Sequence, residues 1–132
     1  MVDFERVGVE AEQALNLLAE KVSEELDVAG IPNFRDGEFG AGAEIEVDLG
    51  ADRAGGVFVH WNPAESLVQA SVAAVGQGRL DAPAIRRAGA VGEIMRDAIF
   101  RILQSSDFGV ELDTGDMRPF AVRVIRFPVA SA

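Results

Sequence analysis

The stretch "AEIEVDL", residues Ala43 to Leu49, alternates apolar and acidic side chains without interruption. The apolar positions are Ala43, Ile45, Val47 and Leu49, and the acidic positions are Glu44, Glu46 and Asp48. Successive side chains of a β-strand point to opposite faces, so the pattern predicts a strand with one buried face and one acidic face in water. The fold therefore contains at least one sheet with a solvated side.

Further strands are predicted downstream of this stretch. Residues 57–61 follow the turn "GADRAGG", and residues 67–75, "LVQASVAAV", follow a turn from Asn62 to Glu65. The segment 67–75 is apolar on both faces, which is typical of a central strand covered on both sides. Near the C-terminus, "FGVELD" and "PFAVRVIRF" predict a hairpin whose turn contains Thr114, Gly115 and Asp116.

Upstream, residues 4–29 are predicted to form a helix, because their apolar residues recur at spacings of three and four. This stripe consists of Phe4, Val7, Ala11, Ala14, Leu18, Val22, Leu26 and Ala29. Gly30 can adopt the left-handed conformation that ends a helix, Ile31 can fold back on Leu26, and Pro32 cannot continue the helix. Residues 33–42, "NFRDGEFGAG", are interpreted as a glycine-rich connection.

A second helix is predicted over residues 82–104, "APAIRRAGAVGEIMRDAIFRILQ". Asp81 is the expected N-cap, and Pro83 falls in the first turn, where its missing N–H costs little. The expected buried stripe consists of Ile85, Ala88, Gly92, Met95, Ile99 and Ile102. The glycines in this helix suggest close approach to another element.

The predicted order is helix, three strands, helix, two strands. Strands joined by short turns favour an antiparallel arrangement. We therefore expect one α+β domain over residues 1–132, with an antiparallel sheet of about five strands and two helices packed on it.

Composition excludes several kinds of function. The chain has 132 residues, no cysteine and a net charge of −10, so it has no thiol catalyst, no iron–sulfur cluster and no Cys-rich zinc site. The first 66 residues carry a net charge of −11 and the last 66 carry +1. A chain this acidic without a basic run disfavours nucleic acids and anionic membranes as partners. With no signal-peptide pattern and no long apolar run, we expect a soluble protein of the bacterial cytoplasm.

His60 and Trp61 are the only histidine and the only tryptophan, and as neighbours in a strand they point to opposite faces. Catalysis by histidine needs an orienting partner, and Glu65 and Ser66 across the turn are the candidates. A lone histidine without cysteine does not make a dedicated zinc site. A structural or surface role is the favoured interpretation of His60, and a core or interface role is the favoured interpretation of Trp61. A hydrolase or isomerase using His60 is the alternative.

The acidic row Glu44, Glu46 and Asp48 has two interpretations that remain open. It is either solvated or paired with Arg123 or Arg126 on a neighbouring strand. Three carboxylates in a line do not close the oxygen shell of a calcium ion, so a metal is not expected. The segment "VGQGRLDA" lacks the third glycine of a dinucleotide loop and the lysine of a P-loop, so no cofactor is predicted.

The element order over residues 4–127, with the small size and low isoelectric point, resembles class I type III secretion chaperones and YbjN-like domains. The resemblance implies a compact α+β domain, commonly homodimeric, that binds polypeptides without catalysis. One departure is that those chaperones usually end in a helix, whereas this chain ends in the predicted strand "FAVRVIRFPV".

These observations together predict a non-enzymatic, acidic protein-binding module that forms a homodimer and binds another polypeptide, a basic one being the electrostatic match. An immunity- or antitoxin-like inhibitor and a phage assembly subunit are the alternatives. The candidate interface residues are Leu17, which falls off the first helical stripe, and the small residues Ala88, Gly89 and Gly92.

Overall fold

The computed structural model describes residues 2–38, 40–50, 55–112 and 120–128, with side chains from residue 8 onward. The elements in chain order are α1 (Val2–Val28), β1 (Asn33–Arg35), β2 (Gly42–Asp48), β3 (Gly56–Asn62), α2 (Glu65–Gly76), α3 (Pro83–Ser105), β4 (Gly109–Leu112) and β5 (Val122–Arg126). The α+β class is confirmed. Over the described residues there are three helices rather than two, and the sheet is mixed rather than antiparallel.

The strands form one sheet in the order β1-β2-β3-β5-β4. β1 runs parallel to β2, and the other neighbours are antiparallel. The interpretation of residues 33–42 as a connection without a strand is wrong at Asn33–Arg35. Side chains hold this short edge strand: the Asn33 side chain accepts a 2.6 Å hydrogen bond from Ser23 and donates a 2.7 Å one to Asp27, both on α1. Three residues are too few for an alternation that the sequence could reveal.

The predicted strand at residues 67–75 is also wrong, because this segment lies in helix α2. Leu67, Ser71 and Ala74 recur at helical spacing and face α3, and the Ser71 hydroxyl donates a 3.2 Å hydrogen bond to the Ala84 carbonyl. α2 packs chiefly on α3, yet the valines on its exposed side are apolar as well. The segment therefore looks like a strand buried on two faces although only one side of the helix is packed.

Helices α1 and α3 cover one face of the sheet and form the core with it. The core contains Leu18, Val22 and Leu26 of the predicted α1 stripe, Ile45 of β2, and Ile99 and Leu103 of α3. Of the stripe residues whose side chains are described, only Leu18, Val22 and Leu26 enter the core, since Ala11, Ala14 and Ala29 are exposed. Leu49 lies beyond the end of β2 and is about half exposed, so it does not continue the buried face.

The helix boundaries confirm part of the prediction. Gly30 adopts a φ of +81°, and the Ile31 N–H donates a 2.9 Å hydrogen bond to the Leu26 carbonyl, as expected for the end of α1. Asp81 is not the N-cap of α3; Ala82 occupies that position without a side-chain cap, and Pro83 opens the first turn. β4 and β5 pair antiparallel as predicted, whereas the turn residues Thr114, Gly115 and Asp116 lie outside the described residues.

Candidate functional site

A surface groove of about 500 Å³ lies where the end of β3 meets α2 and α3. Its walls include Trp61 of β3, Leu67 and Ala70 of α2, and Ala84, Arg87 and Val91 of α3. Proline and alanine side chains complete most of the lining, and Ser66, Arg87 and Trp61 are the lining residues whose side chains carry a polar group. Such a lining suits an apolar occupant better than a polar substrate.

The local sequence explains why these residues meet. β3 alternates, so Trp61 shares the helix-covered face with Val57 and Val59, and it packs against the core. Pro63 follows the strand, and the Ala64 carbonyl accepts hydrogen bonds from the Leu67 and Val68 N–H groups at the start of α2. A turn through residues 77–82 then brings α3 back against α2. The groove is the space that this helical hairpin leaves beside Trp61.

His60 lies on the opposite, open face of the sheet, directly across from Glu44. Its Nε2 is 3.4 Å from Glu44 Oε2 and 3.8 Å from Glu46 Oε1. About 30% of the side chain is exposed, yet Nε2 itself is buried, and neither carboxylate is aligned to hydrogen-bond with it. A histidine between two carboxylates has the components of an acid–base pair, but not the alignment.

The structure does not join His60 to the partners that the sequence suggested. Ser66 lines the groove on the Trp61 side, and the Glu65 carboxylate accepts a 3.1 Å hydrogen bond from Gln69. Within the described part of the chain, no hydrogen bond or ion pair links His60 to either residue. Any catalytic role of His60 would therefore depend on Glu44 and Glu46.

The acidic row of β2 is half-buried and takes part in local polar contacts. Glu44 accepts a 2.8 Å hydrogen bond from Asn62 Nδ2, and Asp48 accepts one of 2.8 Å from the Gly50 N–H. Of the residues that the structure describes, no group of three or more histidine, aspartate or glutamate side chains is placed to hold a metal ion.

The two arginines proposed as partners of the acidic row differ in position. Arg123 lies on the open face, its guanidinium 5.8 Å from the centre of the Phe58 ring and 3.4 Å from Glu111 Oε1. It also donates a 3.0 Å hydrogen bond to the Gly55 carbonyl. Arg126, by contrast, lies along the backbone of Gly109.

The candidate interface residues occupy two separate surfaces. Leu17 of α1 is about half exposed, whereas Ala88 and Gly89 of α3 are half-buried. A methyl group added at Gly89 would meet nothing within 4 Å, while one at Gly92 would lie 3.6 Å from the Phe120 ring. Gly92 therefore packs against a side chain of its own chain.

The sequence interpretation missed another apolar surface, the exposed side of α2. Val68, Val72 and Val75, here called the α2 ridge, are 41%, 65% and 55% exposed. They recur at spacings of four and three, the signal of one helical side, which was hidden when the segment was taken for a strand.

No protein-family model, no curated protein sequence and no solved structure matches this chain. None of the helices, over the residues that were described, has the length and apolar character needed to cross a membrane.

Proposed function

We propose that the chain is a non-enzymatic polypeptide-binding module, chaperone- or adaptor-like, that works as a homodimer in the bacterial cytoplasm. The observation that supports this most is the groove beside Trp61, which is open at the surface and lined mainly by apolar side chains. Tryptophan is enriched among the residues that contribute most to binding energy at protein interfaces. The groove therefore suits an apolar side chain that projects from a partner polypeptide.

The partner's flanking residues are proposed to be basic. The chain carries a net charge of −10, and α1 alone contains eight acids and two bases. Such a field attracts a cationic polypeptide and accelerates its encounter, while the apolar contact in the groove holds it. Binding should thus combine a salt-sensitive association step with a less salt-sensitive apolar contact.

The first experiment uses Trp61 as the probe, because it is the only tryptophan. A synthetic amphipathic helix of leucine and lysine is titrated into the protein while Trp61 emission is recorded, and a leucine–glutamate helix is the matched control. The lysine peptide should shift the emission to shorter wavelength in a saturable manner, as occupancy removes water from the indole. The glutamate peptide should bind far more weakly because of charge repulsion.

A pair of neutral variants localises the binding. Ala70 lines the groove, whereas Ala73 is exposed on the same helix without lining it. Ala70→Gln should lower the affinity for the lysine peptide about tenfold, the equivalent of ~1.4 kcal/mol. Ala73→Gln should leave that affinity unchanged. Equal effects of the two substitutions, or no response of Trp61 to either peptide, would contradict the proposal.

The inhibitor alternative separates from this proposal by salt dependence. If the chain were a purely electrostatic inhibitor, its affinity for the lysine peptide would disappear at high salt. A complex held by apolar contacts in the groove keeps part of its affinity.

A small hydrolase or isomerase using His60 is a second candidate, favoured by the 3.4 Å approach of Glu44 to Nε2. Under the binding-module proposal, His60→Ala leaves the Trp61 titration unchanged, because His60 points away from the groove. Loss of a hydrolase or isomerase activity in the His60→Ala protein would support the second candidate instead.

A further inference from the structure

The α2 ridge is an apolar helix side that the described chain leaves largely uncovered. Val68, Val72 and Val75 are all more than two fifths exposed, and Val72, in the middle, is the most exposed at 65%. α2 packs chiefly on α3 and fully buries only Ala74. Isolated exposed apolar residues are ordinary, but a contiguous stripe on one helix marks an interaction surface.

The distribution of charge indicates which partner fits the ridge. Glu65 is the only charged residue of α2, whereas α1 carries a net charge of −6 and α3 carries +2. Two copies of the chain, each at −10, repel one another least where α2 and the adjacent cationic α3 face the second copy. A second copy is therefore the occupant that we match to the ridge: its own ridge is equally apolar, and the repulsion between the two acidic chains is weakest on this side.

We infer that two copies associate about a two-fold axis, with the α2 ridge of one packed antiparallel on the α2 ridge of the other. A two-fold interface uses the same patch on both copies, and β-branched valines at alternating spacings of four and three suit paired helices. The ridge spans about 10 Å along the helix, so the interface is small and its affinity should lie in the micromolar range.

The groove stays open in this dimer. Ala70 lines the groove and Val72 is the centre of the ridge, and residues two apart lie on nearly opposite sides of a helix. The inference rests on the proposed function only for the statement that the chain is homodimeric. Polypeptide binding in the groove and self-association at the ridge can therefore be tested separately.

The first test is the solution mass by light scattering over a range of protein concentrations, at about 0.05 and about 0.5 M NaCl. As the protein concentration rises, the solution mass should increase from that of one chain to that of two. High salt should leave the dimer fraction unchanged or increase it, because screening reduces repulsion between two acidic copies. Val72→Glu should weaken association at least about tenfold, since it places a carboxylate in the apolar contact. Ala73→Glu adds the same charge to the neighbouring exposed position and should weaken association much less.

A second variant keeps the test decisive if Val72→Glu perturbs folding. The chain has no cysteine, so Val72→Cys introduces a single thiol close to the proposed two-fold axis. Mild oxidation should link two chains through this thiol, because a disulfide requires Cα atoms within about 7 Å. Ala73→Cys should link them many times more slowly.

The outcomes separate this inference from the proposed function. A mass of one chain up to millimolar concentration, or equal linkage through positions 72 and 73, overturns self-association at the ridge. If Trp61 still responds to the lysine peptide in that case, the groove proposal stands without it. A dimer that Val72→Glu does not weaken also overturns the inference and assigns self-association to another surface.

Discussion

At the scale of single residues, the three helices end in the same way. Gly30, Gly78 and Asp107 each follow a helix with φ values of +81°, +72° and +69°. After α2, the Arg79 N–H donates a 2.8 Å hydrogen bond to the Ala74 carbonyl; after α3, the Phe108 N–H donates one of 3.2 Å to Leu103. These bonds satisfy carbonyls that would otherwise lack partners at the helix ends.

Asp107 is the unfavourable member of this set, because a side chain in the left-handed region is strained and a carboxylate opposes the dipole at a helix C-terminus. Asp107→Gly should therefore raise the free energy of unfolding by about 1 kcal/mol. Urea denaturation measures the difference, and Asp107→Ala, which removes the charge but keeps the strain, should gain less. A destabilised Asp107→Gly protein would show that the aspartate has a stabilising role of its own.

How far such ends can be predicted depends on the residue. Gly30 was identified correctly because the sequence joins a helical stripe to a glycine and then to Ile31-Pro32. Gly78 has the same role after α2, but the sequence does not reveal it, because residues 67–75 have the pattern of a strand. Asp107 carries no such signal, since aspartate is common in many kinds of turn.

His60 gives a second prediction at this scale. His60→Ala should change the free energy of unfolding by less than about 1 kcal/mol, because a partly exposed polar contact without an aligned hydrogen bond contributes little to stability. Phe58, on the same open face but only 2% exposed, is the matched comparison. Phe58→Ala should cost about 3–5 kcal/mol through lost burial. Comparable losses in the two variants, measured by urea denaturation, would mean that His60 is far more tightly coupled to the fold than its contacts indicate.

At the scale of elements, a sequence pattern predicts an element reliably only where packing creates a contrast between its faces. β2 was predicted because helices cover one side of it and polar groups line the other. α2 was not, because Leu67 and Ala74 turn toward α3 while Val68 and Val72 stay exposed, so both sides are apolar. The opposite orientations of His60 and Trp61 followed from the strand alone. The groove could not be predicted in this way, since one of its walls belongs to α2, which has the sequence pattern of a strand.

The glycines offer a prediction for α3. An alanine methyl group at Gly89 would meet nothing within 4 Å, so Gly89→Ala should stabilise the protein by roughly 0.5–1 kcal/mol through helix propensity. At Gly109, beside the β4 bulge, the same methyl group would collide with the Arg126 side chain, and Gly109→Ala should destabilise. Thermal unfolding of both variants checks the opposite signs. A destabilised Gly89→Ala protein would indicate that Gly89 is covered by a second copy and not by solvent.

At the scale of the whole molecule, charge is divided unevenly while the core is shared. The first 66 residues hold a net charge of −11, yet their helix and strands pack with α3, β4 and β5 into one core. Folding therefore concentrates negative charge that the unfolded chain keeps further apart, which lowers stability at low salt. The difference in charge between the two halves can be counted from the sequence. That the acids lie on α1 and on the open face of the sheet can be known only from the topology.

Repulsion among the concentrated acidic groups predicts that NaCl stabilises the protein. Between about 0.01 and about 0.3 M the screening length shortens from roughly 30 Å to below 8 Å, so repulsion across the domain weakens while short contacts persist. The melting temperature should rise by a few degrees and then level off.

Replacing the exposed Glu10 and Glu12 of α1 by lysine brings the net charge from −10 to −6. The two substitutions should raise the low-salt melting temperature and flatten its salt dependence. Glu93→Lys lies on the cationic α3, where it removes the contact with Arg96 and places a lysine among arginines, so it should give no such gain. A melting temperature that falls as NaCl is added would show that favourable ion pairs, rather than repulsion, dominate the electrostatics of the fold.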